Sequence, residues 1–554
     1  WSATIETCGG GQTIEGEYTS PLYGCTDATA FNYDLDANTD DGSCLQAITQ
    51  DNIQSAVDLW VSDQASAEAT YGHISDWDVS SVTDMSELFK HKSSFNDNIG
   101  NWDVSNVNNM QSMFYGCDLF NQDIDTWNVS NVSNMKEMFM TAVANSPSFN
   151  QDLSNWDVSK VTDMSYMFHG QREFNGDISD WDVSEVTDMK KMFYVANAFN
   201  SDISGWDVSK VENMEYLLSG TSSFTGDLSE WDVSGVTDMS SMFQNSIMSG
   251  SLSEWDVSNV TDMSSMFYGT NNSNLNLSSW DVSKVEKLGN MFKHASNFNG
   301  DISNWDLDSL ENLNGMFWNA TSFNGDISNW DVSNVEQMAN MFNEATSFNG
   351  DISSWDVSNV EYMHSMFDGA TSFNGDISSC DVSNVVYMES LFDGADALST
   401  NNQCAIHTSF SSNENWPYEW SEFCIEGCTD ATALNYDADA NTDDGSCEPV
   451  VVGCMDATAF NYNAEANTDD GSCVSWEEHA NDLQVQLDNI IPEDGVSQTD
   501  VDAAYAEGVA SVEIEVVTQN IPLDLPQGWS MFGYTCMDSV DAVTAFSEIA
   551  DKIE

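Results

Sequence analysis

Three short stretches of this 554-residue chain place oxygen donors in the alternating order that suits a hard cation. Each is opened and closed by a cysteine with eighteen residues between, at Cys25 to Cys44, Cys428 to Cys447 and Cys454 to Cys473. Inside them Asp34, Asp36, Asn38, Asp40 and Asp41 recur as Asp437, Asp439, Asn441, Asp443 and Asp444, and again as Asn463, Glu465, Asn467, Asp469 and Asp470. Carboxylates and amides at every second position before an Asp-Gly step can wrap a loop around Ca2+, which takes about six to eight oxygens, and the glycine permits the turn. The competing expectation is a disulfide-closed acidic turn that binds no metal. Zinc is disfavoured, because cysteines this far apart with no histidine nearby lack its ligand spacing.

What must carry these loops is a second, longer repeat. Thirteen copies of a unit close to 25 residues run through 75–393, each keyed by a Trp-Asp-Val-Ser step from Trp77 to Trp355, with Cys380 in the tryptophan slot of the last. One copy reads Phe174-Asn175-Gly176-Asp177-Ile178-Ser179-Asp180-Trp181-Asp182-Val183-Ser184-Glu185-Val186-Thr187-Asp188-Met189, then Met192-Phe193. Ile178, Trp181, Val183 and Val186 have leucine-rich-repeat spacing and predict a strand around 181–184. Thr187 as N-cap, with Met189, Met192 and Phe193 at i, i+3 and i+4, predicts a short helix. No single unit can bury both its apolar edges, so the units must stack. The expected fold is an α/β repeat: a leucine-rich-repeat-like solenoid with small disulfide-closed, loop-rich modules at both ends and a helical/β tail. One repeat is stretched to 29 residues between Trp127 and Trp156 and holds Pro147, which predicts a bulging surface loop.

Stacking turns each repeat position into a column. The tryptophans are expected in the core, and the asparagines after phenylalanine, such as Asn96, Asn175 and Asn349, as an amide ladder that satisfies turn backbone. The aspartates after tryptophan, from Asp78 to Asp381, would sit about 4.8 Å apart if their strands paired directly. Backbone capping is the favoured reading for them and a bound-cation column the alternative. The surface beside them, from Asp76 to Ser379, carries no aromatic or Arg anchor, so hydroxyl-rich or cationic ligands suit it better than a greasy partner.

The unit resembles the 25-residue repeats of BspA-like leucine-rich-repeat surface proteins, known also from mycoplasma lipoproteins and marine microbes. The resemblance implies an extracellular attachment protein and names no ligand. The cysteine stretches resemble thrombospondin type 3 calcium repeats, although their glycine comes later than in that pattern.

The chain carries 92 acidic against 12 basic residues, a formal charge of -80. Nucleic acid is excluded as a partner by the shortage of Lys and Arg, and anionic membranes for the same reason. Direct membrane insertion is not expected, since nowhere do eighteen consecutive apolar residues occur. Pairing Cys25–Cys44, Cys404–Cys424, Cys428–Cys447 and Cys454–Cys473 uses eight of twelve cysteines and implies an oxidising compartment. Cys8 and Cys536 are left to other partners, while Cys117 and Cys380 read as inert buried thiols. His73, His91, His169, His294 and His364 read as scattered over unrelated positions, and no triad, phosphate loop or metal-hydrolase motif is present.

The chain then divides into an N-terminal segment (1–23), a module (24–44), a helical cap (45–74) bearing Ala56, Val57, Trp60 and Val61, the repeats (75–393) and a disulfide-closed cap (394–426). Two further modules (427–447 and 453–473), a helical stalk or oligomerisation segment (476–512) and the cut-short start of a β-containing domain (513–554) follow. The function expected is non-enzymatic adhesion or recognition at a cell or virion surface, with an extracellular protein or glycan as ligand. The alternative is a structural coat, filament or virion-fibre subunit that assembles with copies of itself through the repeats or the tail.

Overall fold

A computed structural model describes residues 20–142, 149–248, 250–270 and 275–490. The loop around Pro147, Cys8, Cys536 and the tail elements expected after residue 490 lie outside the described residues. The chain forms two compact units, Trp1–Pro449 and Val450–Glu554.

Within the first unit the repeats stack through their backbones. In the copy quoted above, the N–H groups of Met189, Lys191, Phe193 and Val195 donate to the carbonyls of Asn213, Glu215, Leu217 and Ser219 of the next copy at 2.8–3.1 Å. The intervening N–H groups of Met192, Tyr194 and Ala196 close turns onto the carbonyls three residues back. Parallel bridges run unbroken from Asp84 through Asp188 to Tyr387. Lys191 and Val195 hold positive φ of 55° and 60° to make this alternation possible. Glycine serves at the second of these positions in several copies, as at Gly170 and Gly220, because it takes positive φ without a Cβ clash.

The expected strand and helix of each repeat are therefore corrected. The stretch at 181–184 is a corner: Asp182 accepts the N–H of Ser184 at 3.1 Å and Val186 N–H turns back to Val183 O. The stretch after Thr187 is the laterally bonded ladder. Met-x-x-Met-Phe spacing served both readings, because a chain of tight turns also returns those side chains to one face. What excludes the helix is that alternate N–H groups are spent on the neighbouring copy and are lost to the i−4 carbonyls.

Met189, Met192 and Phe193 are fully buried, and the phenylalanines stack in a column with Phe168 and Phe193 rings 5.8 Å apart. The tryptophans are buried as expected, and each indole N–H from Trp102 to Trp355 reaches the preceding copy, as Trp206 Nε1 donates to Ile178 O at 3.2 Å. The asparagine ladder is also formed, with Asn175 N–H donating to Asn150 Oδ1 and Asn200 N–H to Asn175 Oδ1, although its members are exposed.

Both ends of the ladder are closed by side chains. At the first copy, α1 (Ile53–Ser62) and α2 (Gln64–Tyr71) cover the core with Ile53, Ala56, Val57 and Trp60, while Val61 is exposed. Gln50 accepts from Asp84 N–H at 2.9 Å and donates to its carbonyl at 2.8 Å. At the last copy, α3 (Thr400–Phe410) is tied by the Cys404–Cys424 disulfide. Tyr418 there accepts Phe392 N–H at 2.8 Å, and Asn413 donates to the carbonyls of Val382 and Val385. In the second unit, α4 (Trp476–Ile490) follows the third module. No helix among the described residues is long and apolar enough to cross a membrane.

Cys380 leaves a small apolar cavity lined by Ile352, Trp355, Met366, Ile377 and Phe410. Cys380→Trp should fill it, donate its indole N–H to Ile352 O and raise the melting temperature, whereas Trp206→Ala should cost about 3–5 kcal/mol in denaturant unfolding. A drop in melting temperature for Cys380→Trp would show that the last copy cannot widen.

Candidate binding face

The positions that flank and separate the buried Met and Phe of the ladder form a strip that the sequence pattern concealed. All seven tyrosines of the repeats, Tyr115, Tyr166, Tyr194, Tyr216, Tyr268, Tyr362 and Tyr387, fall on it, as do His91, His169, His294 and His364. Trp318, the one repeat tryptophan outside the keyed slot, joins them. So do Lys90, Lys136, Lys190, Lys191, Lys287 and Lys293, half of the basic residues of the chain. Four of the five histidines read as scattered thus share one strip, while His73 lies before the first copy, at the start of the turn Ile74–Asp76. Spacing alone hid this because they occupy three different sites of the repeat, which only lateral stacking merges into one surface.

Ring and cation contacts knit the strip across copies. His169 lies 4.9 Å from Tyr194, Tyr194 5.5 Å from Tyr216, and Tyr362 stacks on Tyr387 at 4.9 Å. Lys191 Nζ sits 4.7 Å from the Tyr216 ring centre and 5.5 Å from that of Tyr166, and Lys293 Nζ sits 3.5 Å from that of Trp318. Lys190 and Lys191 also pair with Glu215 at 2.5 and 3.5 Å. Half-buried tyrosine and tryptophan rings offer a large rigid contact area at small entropic cost, and lysine over a ring face adds a cation–π contact. Towards the last copies the strip turns acidic, and burial beside Asp393 and Glu344 raises the Asp368 carboxyl above the usual range.

The aspartates after tryptophan cap backbone, the favoured of their two readings, and the serines beside them bond to the fold as well. Each copy has up to three carboxylate or amide caps two residues long, as Asp177 to Ser179, Asp182 to Ser184 and Asp188 to Lys190. Hydrogen bonds from the serines hold Asp103, Asp207 and Asp356 below the usual carboxylate range. In the column before tryptophan, Ser354 and Ser379 donate to the carbonyls of Ser328 and Ser353.

The three modules repeat one architecture. Short parallel pairs join β1 (Tyr23–Gly24) to β2 (Thr39–Asp40), β3 (Glu426–Gly427) to β4 (Thr442–Asp443) and β5 (Val452–Gly453) to β6 (Thr468–Asp469). Disulfides Cys25–Cys44, Cys428–Cys447 and Cys454–Cys473 close them as the sequence predicts. The alternate donors act as backbone caps. Asn38, Asn441 and Asn467 accept the N–H of Leu22, Ile425 and Val451 at 2.8–3.0 Å. Asp34, Asp437 and Asn463 accept the N–H of Asp36, Asp439 and Glu465 at 2.9–3.0 Å. Asp40, Asp443 and Asp469 accept from Gly42, Gly445 and Gly471, and Asp41, Asp444 and Asp470 accept from Ser43, Ser446 and Ser472. Among the described residues no group of three or more His, Cys, Asp or Glu is placed to hold a metal ion. The sequence reading also missed Asn32, Asn435 and Asn461, which bridge Ser43 O to Leu45 N–H and their equivalents at 2.7–2.8 Å.

Four overlapping stretches, 60–146, 140–250, 245–339 and 302–406, match the profile of a family described as Mycoplasma protein of unknown function, DUF285. The chain belongs to the DUF285 family. No curated protein and no solved structure matches it. The DUF285 match spans the end of the first cap, the repeats and the start of α3, and leaves the three modules outside.

Cys117 and Cys380 are buried free thiols in the DUF285 repeats, the latter pushed up to about 11 by burial. His169, on the strip, is pushed from its ordinary 6.5 down to about 4 by burial and by Lys191. The unfolded chain therefore binds the proton first, and stability held above pH 6.5 is lost as pH falls towards 4. His169→Phe should lose less melting temperature than the parent between pH 7 and about 4, and parallel losses in the two proteins would remove His169 from the acid response.

Proposed function

We propose that this protein is a non-enzymatic recognition or adhesion protein of a cell or virion surface, and that its repeats form a solenoid of the leucine-rich-repeat kind presenting the tyrosine strip to an extracellular ligand. The observation that carries this reading is the collection of every repeat tyrosine and histidine on one laterally bonded ladder of a chain with charge -80. A random surface of so acidic a protein would not gather half of its cations there. The disulfides agree with an oxidising, extracellular setting, and the modules act in this reading as covalently closed braces.

A second reading, self-assembly into a coat or filament, draws support from the modules. Each exposes an apolar residue and a tyrosine two apart, at Phe31 and Tyr33, Leu434 and Tyr436, and Phe460 and Tyr462.

The test is capture on arrays of extracellular glycans and proteins by the parent, by Tyr166→Ser with Tyr194→Ser and Tyr216→Ser, and by Ser354→Ala with Ser379→Ala in the column before tryptophan. Binding lost only with the tyrosines supports the strip, and binding that survives their loss sinks it. Concentration-dependent sedimentation of parent protein with no array ligand would favour self-assembly. In the same protein, calcium should raise the melting temperature and a chelator lower it, as the alternating donors of the modules lead one to expect, and an unchanged melting temperature sinks the cation loop.

A further inference from the structure

Not all cations of the strip are equally available. Lys190 and Lys191 share Glu215, Lys287 pairs with Asp262 at 3.0 Å, and Lys90 pairs with Glu87. Lys293 has no carboxylate within ion-pair distance among the described residues. Its ammonium is held instead between aromatic rings of two flanking copies, 3.5 Å from the centre of Trp318 and 5.8 Å from that of Tyr268. Burial lowers the Lys293 amine, as expected of a charge that has lost water without gaining a counter-ion.

Next to it, His294 Nδ1 lies 3.0 Å from Asn319 Nδ2. An amide nitrogen can only donate, so Nδ1 accepts and the ring proton resides on Nε2. Burial and Lys293 lower the His294 imidazole and outweigh Glu344, the carboxylate that acts on it in the opposite sense, which keeps this neutral form at pH 7. The cluster therefore combines an ammonium, an imidazole N–H donor and two half-buried aromatic rings, in a protein whose surface is elsewhere acidic.

Resting on the strip reading above, we propose that Tyr268, Lys293, His294 and Trp318 form a subsite for a carboxylated sugar. The carboxylate would supply the counter-ion that Lys293 lacks, a pyranose C–H face would pack on the rings, and the imidazole N–H would donate to a sugar oxygen. A neutral sugar leaves the ammonium unmatched. An acidic peptide offers the charge without the flat apolar face.

The full chain is titrated by calorimetry with an oligogalacturonate, its methyl ester and an oligoglutamate of equal length. The uronate should bind about tenfold more tightly than the ester, as a hydrogen bond to a charged group implies, and should weaken as salt rises. Lys293→Gln should reduce uronate binding to the level of the ester, and Trp318→Ala, or Trp318→Phe if the former melts early, should weaken both sugars. Equal binding of uronate and ester, no effect of Lys293→Gln, or tighter binding of oligoglutamate overturns the proposal. Absence of binding to all three probes overturns it too. Array capture that depends on Tyr166, Tyr194 and Tyr216 would in each case leave the wider strip reading standing.

Discussion

Every other feature of the repeats depends on the lateral exchange of backbone hydrogen bonds between copies. Alternate N–H groups of the ladder reach the next copy, and those between them close local turns. A single copy makes only the second set, so its backbone stays half unsatisfied until a neighbour arrives. With a net gain of about 1 kcal/mol per bond and several bonds per junction, neighbouring copies stabilise each other far more than any copy stabilises itself. The same logic requires closed ends, which Gln50 provides on one side and Tyr418 with Asn413 on the other.

The ladder also explains the composition. Short side chains that cap backbone two residues on, chiefly Asp with Ser, occur up to three times in a copy. They replace regular secondary structure as the device that satisfies corners. Much of the acidity of the repeats is in this way structural. Serine hydrogen bonds hold these carboxylates charged, and the chain then benefits from screening by its medium, because a carboxylate of the next copy opposes the ionisation of its neighbour, as Asp356 does that of Asp331.

Against this background the tyrosine and lysine strip stands out as the part of the surface the fold does not use up. The tryptophan side is packed inside, and the aspartate and serine side is bonded to itself. The residues between the buried methionines and phenylalanines vary from copy to copy. That freedom lets aromatic rings and cations gather in some copies, around Lys191 and Lys293, and carboxylates in others, around Asp368 and Asp393.

The repeat period, the burial of Trp181 and its equivalents, the amide ladder and all four disulfides were legible in the sequence. Each follows from residue type at fixed spacing, which survives whatever local path the backbone takes. The path itself was not legible. A helix and a run of tight turns both bring Met189, Met192 and Phe193 to one side, and hydrogen bonding to Asn213, Glu215 and Leu217 decided between them. The backbone caps made by the alternate donors around Asn38 were not legible, because spacing reports which atoms are present and not where they point. Only the folded chain turns them onto Leu22, Gly42 and Ser43. The strip was hidden for the converse reason: Tyr166, Lys191, Tyr216, Lys293 and Trp318 are far apart in sequence and differ in repeat position, and stacking alone makes them neighbours.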